Sequence, residues 1–228
     1  MNSPVASAMQ NSFTEENYLK IIHSLSGPEG AEVSTNALAE GTATRAASVT
    51  DMLKKLAEKD LIHYKKYQGV RLTPKGEKVA LKVIRRHRLW EVFLVEKLGF
   101  GWDEVHDIAE ELEHIPSDRL VERLDTFLGT PRFDPHGDPI PDAKGNMPLS
   151  DYLKLSDVAA GDTVLMMGVT EHAPAFLQHL DRSGIMLGCE IAVQEINEYD
   201  KSALVLIDKT KTLFISQEVS KNLLVQRC

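Results

Sequence analysis

The segment His106-Asp107-Ile108-Ala109-Glu110-Glu111-Leu112-Glu113-His114 gathers two imidazoles and several carboxylates into one short stretch. On a helix that advances ~100° per residue, His106, Glu110 and Glu113 fall within about 60° of one another, with His114 close by. Earlier in the chain His87 and Glu91 are four residues apart and share a helix face in the same way. Imidazole plus carboxylate without thiolate suits Mn(II), Fe(II), Zn(II) or Co(II). A lone His-x-x-x-Glu pair is more often a surface charge pair, and an acidic run such as Asp103 to Glu113 is usually a solvated face. Two such groups on consecutive helices are harder to read that way.

These residues need helices to position them, and the local signals supply them. Phe13 to Leu25 opens on Thr14, Glu15 and Glu16, a favourable helix start, and carries apolar residues at 18, 19, 21, 22 and 25. Ser34 caps a short helix, Thr35 to Glu40, that Gly41 stops. A further helix fits Ala46 to Lys59, with Val49, Met52, Leu53 and Leu56 on one face. Two short helices around a glycine have the layout of a helix-turn-helix. Leu61 to Thr73 then reads as two short strands turning near Gln68-Gly69, which makes the unit a winged helix-turn-helix. Thr73-Pro74 starts a long helix that runs to about Leu98, with Thr as N-cap and Pro in the first turn.

Two more helices, about Trp102 to Ile115 and Ser117 to Leu128, complete a helical region. Five prolines between 131 and 148 mark a linker or strap. Beyond Leu155 the pattern becomes β-like, at Thr163–Met167, Glu190–Ile196, Ala203–Ile207 and Thr212–Ile215, with a helical turn at Ala175–Leu180. That is a small β domain, a barrel of few strands. The fold class is therefore α+β and multidomain. We assign 1–12 to a disordered tail, 13–74 to the winged domain, 75–130 to the helical domain, 131–154 to the linker and 155–228 to the β domain.

The chain has 228 residues, 43% of them apolar and 26% charged, as in ordinary soluble proteins. No run approaches the roughly 18 apolar residues of a membrane span. Two cysteines, Cys189 and Cys228, cannot build a disulfide framework, so a cytoplasmic location is expected. The net charge of −8 argues against nucleic acid until its distribution is considered. From Gly41 to Trp90 there are 13 Lys or Arg against four acids, a balance of +9 that leaves −17 elsewhere. The basic block overlaps the helix-turn-helix and wing and runs on into the long helix, a distribution that suits a DNA-binding face.

At this point the chain resembles a known family, the bacterial metal-dependent repressors typified by the diphtheria toxin repressor and the manganese transport regulator. Thr14-Glu15-Glu16-Asn17-Tyr18-Leu19-Lys20 is similar to the family's first helix, and Ser48 to Leu56 to its recognition helix. Leu72-Thr73-Pro74-Lys75-Gly76 is similar to its wing exit. Arg86-His87-Arg88-Leu89-Trp90-Glu91, Val105-His106-Asp107 and Glu110-x-x-Glu113-His114 match its ligand motifs. Asp134-Pro135-His136-Gly137-Asp138-Pro139-Ile140-Pro141 resembles its interdomain segment, and the β domain its SH3-like (FeoA-like) C-terminal domain. The resemblance implies a homodimer, joined through the helical domain, that binds double-stranded operator DNA when loaded with divalent ions and represses metal-homeostasis genes. It implies two ion sites. One would comprise His87, Glu91 and His106 with Glu171 or His172, the other Glu110, Glu113, His114 and Asn17. Glu110 stands where the iron branch has cysteine and so points to Mn(II), with Fe(II) as the alternative. Lys20 departs from the manganese branch, which has a carboxylate there.

In the winged unit Arg45, Lys54, Lys55, Lys65 and Lys66 are the expected phosphate contacts. Ala47, Ser48, Thr50 and Asp51 open the recognition helix, where base edges are reached. Two rival classes remain at this stage. A metal-dependent hydrolase would need an open coordination position beside a general base. No nucleophile elbow or phosphate-binding glycine loop is present, and no catalytic residue is assigned. A winged-helix regulator answering to an organic ligand would leave these His and Glu residues structural.

Overall fold

The computed structural model describes residues 11–27, 29–65 and 68–228, which divide into two compact units meeting at Arg85/Arg86. The first unit starts with α1 (Phe13–Ser26), α2 (Thr35–Gly41) and α3 (Ala46–Glu58), followed by β1 (Ile62–Lys65) and β2 (Gly69–Leu72). α1 begins at Phe13, as expected, and runs one residue past Leu25. Ser12, which the sequence left in the tail, accepts from the Glu15 N–H, and the Glu15 carboxylate accepts from the Ser12 N–H, a reciprocal capping box. Residues 1–10 of the expected tail lie outside the described residues.

Leu19 and Ile22 of α1, Leu38 of α2 and Val49, Leu53 and Leu56 of α3 are fully buried together, the spacing of three and four that an amphipathic helix uses to cover a core. β1 and β2 pair antiparallel, with His63 opposite Arg71 and Tyr64 opposite Val70. A bridge from Val33 to Val70 adds the segment before α2 to this wing. The winged helix-turn-helix expected from the sequence is present.

α4 (Pro74–Leu98) is entered as expected, the Gly76 N–H donating to Thr73 Oγ1 at 3.1 Å. Gly76 also lets the helix pass against the wing. A Cβ there would meet the Leu61 carbonyl oxygen at 1.9 Å, a contact that only backbone movement relieves. Gly76→Ala is expected to destabilise the winged unit by about 2–3 kcal/mol. Denaturant unfolding of the two proteins measures this, and equal midpoints would contradict it.

The second unit holds the later part of α4, α5 (Val105–Leu112) and α6 (Asp118–Phe127), with Leu89, Val92, Leu124 and Ile140 as their small shared core. α5 is shorter than the expected 102–115, because Gly101 and Glu104 fold into a turn and Glu113 closes the helix. The β domain has six antiparallel strands in the order β3-β8-β4-β5-β6-β7. They are β3 (Leu153–Lys154), β4 (Thr163–Val169), β5 (Glu190–Ile196), β6 (Ala203–Ile207), β7 (Lys211–Ile215) and β8 (Leu223–Arg227), joined in part by α7 (Pro174–Ser183) and α8 (Gln217–Ser220). Alternate residues Val164 and Met166 and Ala203, Val205 and Ile207 face inward, and α7 sets Leu177 and Leu180 on the same core. The sequence reading missed β3 and β8, and took the ten-residue α7 for a helical turn. It is the small SH3-like domain expected, completed by its own C-terminal strand.

Candidate metal centre

α4 presents His87 and Glu91 one turn apart, and His87 is the hub. Its Nε2 lies 3.0 Å from Glu91 Oε1 and its Nδ1 2.7 Å from Glu113 Oε2, with Glu110 Oε1 at 4.0 Å. Glu91 and Glu113 are buried, as are His87 and His114. A carboxylate with no access to water persists only where a cation or donors compensate it. His106 is more exposed. Its Nδ1 is 3.7 Å from Glu91 and its Nε2 3.7 Å from Glu110, and its ring meets that of His87 edge-on at 5.0 Å. His114 stands 3.6 Å from the other oxygen of Glu113. The helical stripe read from the sequence therefore converges on His87. Ligand atoms of His87, His106 and Glu110 all lie within 4.8 Å of one another.

A second group was not singled out as ligating by the sequence reading. Glu91, Asp134 and His136 also bring ligand atoms within 4.8 Å, all three buried. Asp134 and His136 come from the proline-rich strap. Asp134 folds it by accepting from the N–H groups of His136 and Asp138 at 2.8 and 3.0 Å. Arg88, on α4, fastens it through Asp138, the Pro139 carbonyl and Asp134. The Asp-x-His spacing was visible, but that it would turn back onto Glu91 was not. Of the two residues implied for the β domain, His172 has its ring 4.9 Å from that of His136 and its Nε2 4.0 Å from Asp138. Glu171 is exposed and accepts from the Ala173 N–H at 2.9 Å.

Electrostatics set these groups apart from surface charges. Burial alone would raise the Glu91 carboxyl, but His106, His136 and His87 outweigh it and hold it well below its ordinary range. Asp134 is pushed up to about 7 by burial and by the charges of Glu91 and Asp138, against Arg88 and His136. His136, though burial lowers it, is raised to about 9 by Glu91 and Asp134. Burial lowers His172. Four carboxylates (Glu91, Glu110, Glu113, Asp134) and four imidazoles (His87, His106, His114, His136) packed between helices and strap are a donor set for a hard or borderline divalent cation. The residues fit such an ion. Cys189 lies in the β-domain core and Cys228 is exposed, so neither thiol belongs to these clusters. Asn17, on α1 in the first unit, has its amide oxygen buried without a hydrogen-bond partner, an acceptor that suits a ligand.

On the DNA-binding side, Arg45, Ala47 and Ser48 are exposed at the start of α3. Thr50 returns its hydroxyl to the Ala46 carbonyl at 3.0 Å, and Asp51 pairs with Lys54 at 3.1 Å. Lys55 is exposed but also reaches the buried Glu15 at 3.2 Å, alongside Lys59 at 2.7 Å. Burial would raise the Glu15 carboxyl, yet Lys59, the Ser12 N–H and Lys55 together hold it below its ordinary value. Glu15 thus ties α1 to the recognition helix, a link the sequence reading did not find. Lys65 is exposed at the end of β1, and Lys66 lies outside the described residues.

Comparison with known proteins agrees with this arrangement. The family profile described as the iron dependent repressor N-terminal DNA binding domain matches residues 12–70, that of its metal binding and dimerisation domain 73–142, and the FeoA domain 153–227. The iron-dependent repressor IdeR of Mycobacterium tuberculosis is 29% identical over 193 residues, 79% of this chain and 84% of that protein. The regulator MntR of Bacillus pumilus is 36% identical over 110 residues, 48% of this chain and 74% of that protein. A solved manganese-dependent transcriptional repressor in complex with manganese superposes with a TM-score of 0.83 at 37% identity, covering 94% of this chain and all of that one. The manganese regulator SloR gives 0.73 at 33%, covering 94% of this chain and 98% of its own. Clustered imidazoles and carboxylates following a winged helix in the chain, and matches along nearly the whole length, lead to one conclusion: the chain belongs to the diphtheria toxin repressor and manganese transport regulator family of metal-dependent transcriptional repressors, DNA-binding regulators and not enzymes.

Proposed function

We propose that this repressor senses Mn(II), with Fe(II) as the competing ion and Zn(II) or Co(II) able to substitute in vitro. In this reading the loaded protein binds operator DNA as a homodimer in the cytoplasm and controls metal-homeostasis genes. The observation that carries it is the convergence of His87, His106 and Glu110 beside Glu91, Asp134 and His136, oxygen and imidazole donors without sulfur. Glu113 and His114 complete the ligands for the first group, Asn17 is a candidate ligand on the resemblance alone, and His172 is the better placed of the two β-domain residues for the second. Glu171 is the weaker candidate, its carboxylate being engaged with its own backbone.

A bound ion supplies positive charge among carboxylates that otherwise repel. The chain's own residues do the rest. His87, shared between Glu91 and Glu113, holds α4 and the end of α5 together. Only a state that binds both ion and DNA better can link the two equilibria. Leu98, Phe100, Leu120 and Phe127 are exposed large apolar side chains of the helical region, as a surface that dimerises requires. Arg45, Lys54, Lys55, Lys65 and Lys66 supply phosphate contacts, while Ala47, Ser48, Thr50 and Asp51 face the bases. Among the described residues no helix is long and apolar enough to cross a membrane.

The test is operator binding, on DNA selected from a random pool by the Mn(II)-loaded protein, titrated with Mn(II), Fe(II) and Zn(II) in turn. Activation by Mn(II) at lower free concentration than Fe(II) is expected. Equal affinity with ion and with chelator would favour the organic-ligand class. Lys65→Ala should weaken binding to all DNA alike and reduce the salt-dependence slope by about 0.9 for each protomer, about 1.8 for the dimer. A loss confined to operator sequence would contradict a phosphate role.

Ion binding at the second cluster should depend on pH. His136, raised to about 9, must give up a proton to ligate, and Asp134, raised to about 7, is half protonated near neutrality. Affinity therefore rises with pH between 7 and 9, and more steeply below 7. Calorimetry in buffers of different ionisation enthalpy should show about one to two protons released at pH 7. Release of none would contradict the assignment.

A further inference from the structure

His136 is held from outside its own cluster. Its Nε2 lies 2.8 Å from the Trp102 carbonyl oxygen, which can only accept, so that nitrogen carries the proton. Its backbone carbonyl accepts from the Val169 N–H of β4 at 2.9 Å. The Trp102 indole lies nearly parallel to the imidazole, 12° between planes and 6.1 Å between centroids. Trp102 also packs on the β-domain core. Its Nε1–H donates to both oxygens of Asp181 on α7, at 3.0 and 3.1 Å. One turn earlier on α7, Gln178 donates to Asp103 Oδ2 at 2.8 Å.

We propose that Asp181 and Trp102 are positioning residues for an ion at Glu91, Asp134 and His136, with α7 of the FeoA-type domain as the strut that sets the histidine. The proposal rests on reading that cluster as an ion site. An imidazole offers a lone pair on one nitrogen only, and the partner of the other nitrogen decides which. With Nε2–H on the Trp102 carbonyl, neutral His136 turns the Nδ1 lone pair toward Glu91 Oε2 and Asp134 Oδ1, 3.8 and 3.9 Å away. The carbonyl cannot shift without its own indole, which Asp181 anchors. The C-terminal domain therefore acts on the ion site through a residue that touches no ion, in addition to any ligand it donates.

The test uses the full chain and counts free Mn(II) by electron paramagnetic resonance during titration, so that each binding step is read separately. His136→Ala identifies the step that belongs to the second cluster. Asp181→Ala is expected to weaken that step about 10–100-fold and leave the other unchanged. Asp181→Asn, which keeps an acceptor for the indole, should restore it. If Asp181→Ala unfolds the β domain, Trp102→Phe keeps the ring and removes only the N–H, and the same selective loss is expected. Unchanged binding in Trp102→Phe and Asp181→Ala, or equal weakening of both steps, overturns the strut. If His136→Ala itself alters no step, the ion site fails and the strut with it.

Discussion

Replacing His87 with alanine should abolish the ion-dependent part of operator binding. A coupling of about 2–3 kcal/mol would give the native protein a gain of ~100-fold on loading with Mn(II), and the variant less than ~3-fold. The reason lies in the hub geometry. His87 faces Glu91 on its own helix and Glu113 at the end of α5, and its side chain is also part of the group formed with His106 and Glu110. Its loss also deprives the buried Glu91 and Glu113 of their nearest imidazole, so the ion-free variant should melt lower as well. Fluorescence anisotropy with labelled operator DNA, with Mn(II) and with chelator, measures the coupling. Circular dichroism verifies that the winged unit remains folded. A variant that still gains ~100-fold would remove His87 from the centre of the account.

Gly137→Ala should have the largest effect on the second unit. Gly137 has φ of 88°, a region that favours glycine, and a Cβ there would meet the Met167 carbonyl oxygen at 2.2 Å and Gly168 Cα at 2.4 Å. Gly168 is itself backbone in close approach, so neither side can yield by turning a side chain. We expect a loss of about 3 kcal/mol or more in the stability of the strap on β4. Because His136 precedes it, Mn(II) affinity at Glu91, Asp134 and His136 should fall with it. Hydrogen exchange at the Val169 amide, which donates to the His136 carbonyl, reports the first effect. Unchanged protection there would contradict it.

The winged unit could be read from sequence because its determinants are local. Ser34, Gly41, Thr73-Pro74 and the apolar spacing of Val49, Leu53 and Leu56 each act within one or two turns. The stripe from His106 to His114 was legible for the same reason, since helical periodicity alone aligns it. What periodicity could not supply was partnership across elements. The resemblance grouped His87 with Glu91 and His106 and kept Glu110 with Glu113. The geometry sets His87 against Glu113 and puts Glu91 also toward the strap. Asp134 and His136 sit among prolines, where no period marks a face, and distant partners such as Arg88, Trp102 and the β domain hold that segment against α4. β8 was missed because Leu223 to Arg227 becomes a strand through its partners β3 and β4. Glu15 looked like one helix-start acid among several, and its links to Lys55 and Lys59 span 40 and 44 residues.

The most direct test is anomalous diffraction at the manganese edge from crystals of the Mn(II)-loaded protein. Manganese density is expected flanked by His87, His106 and Glu110 and by Glu91, Asp134 and His136. Manganese bound only elsewhere, in a protein that still gains operator affinity on loading, would contradict it.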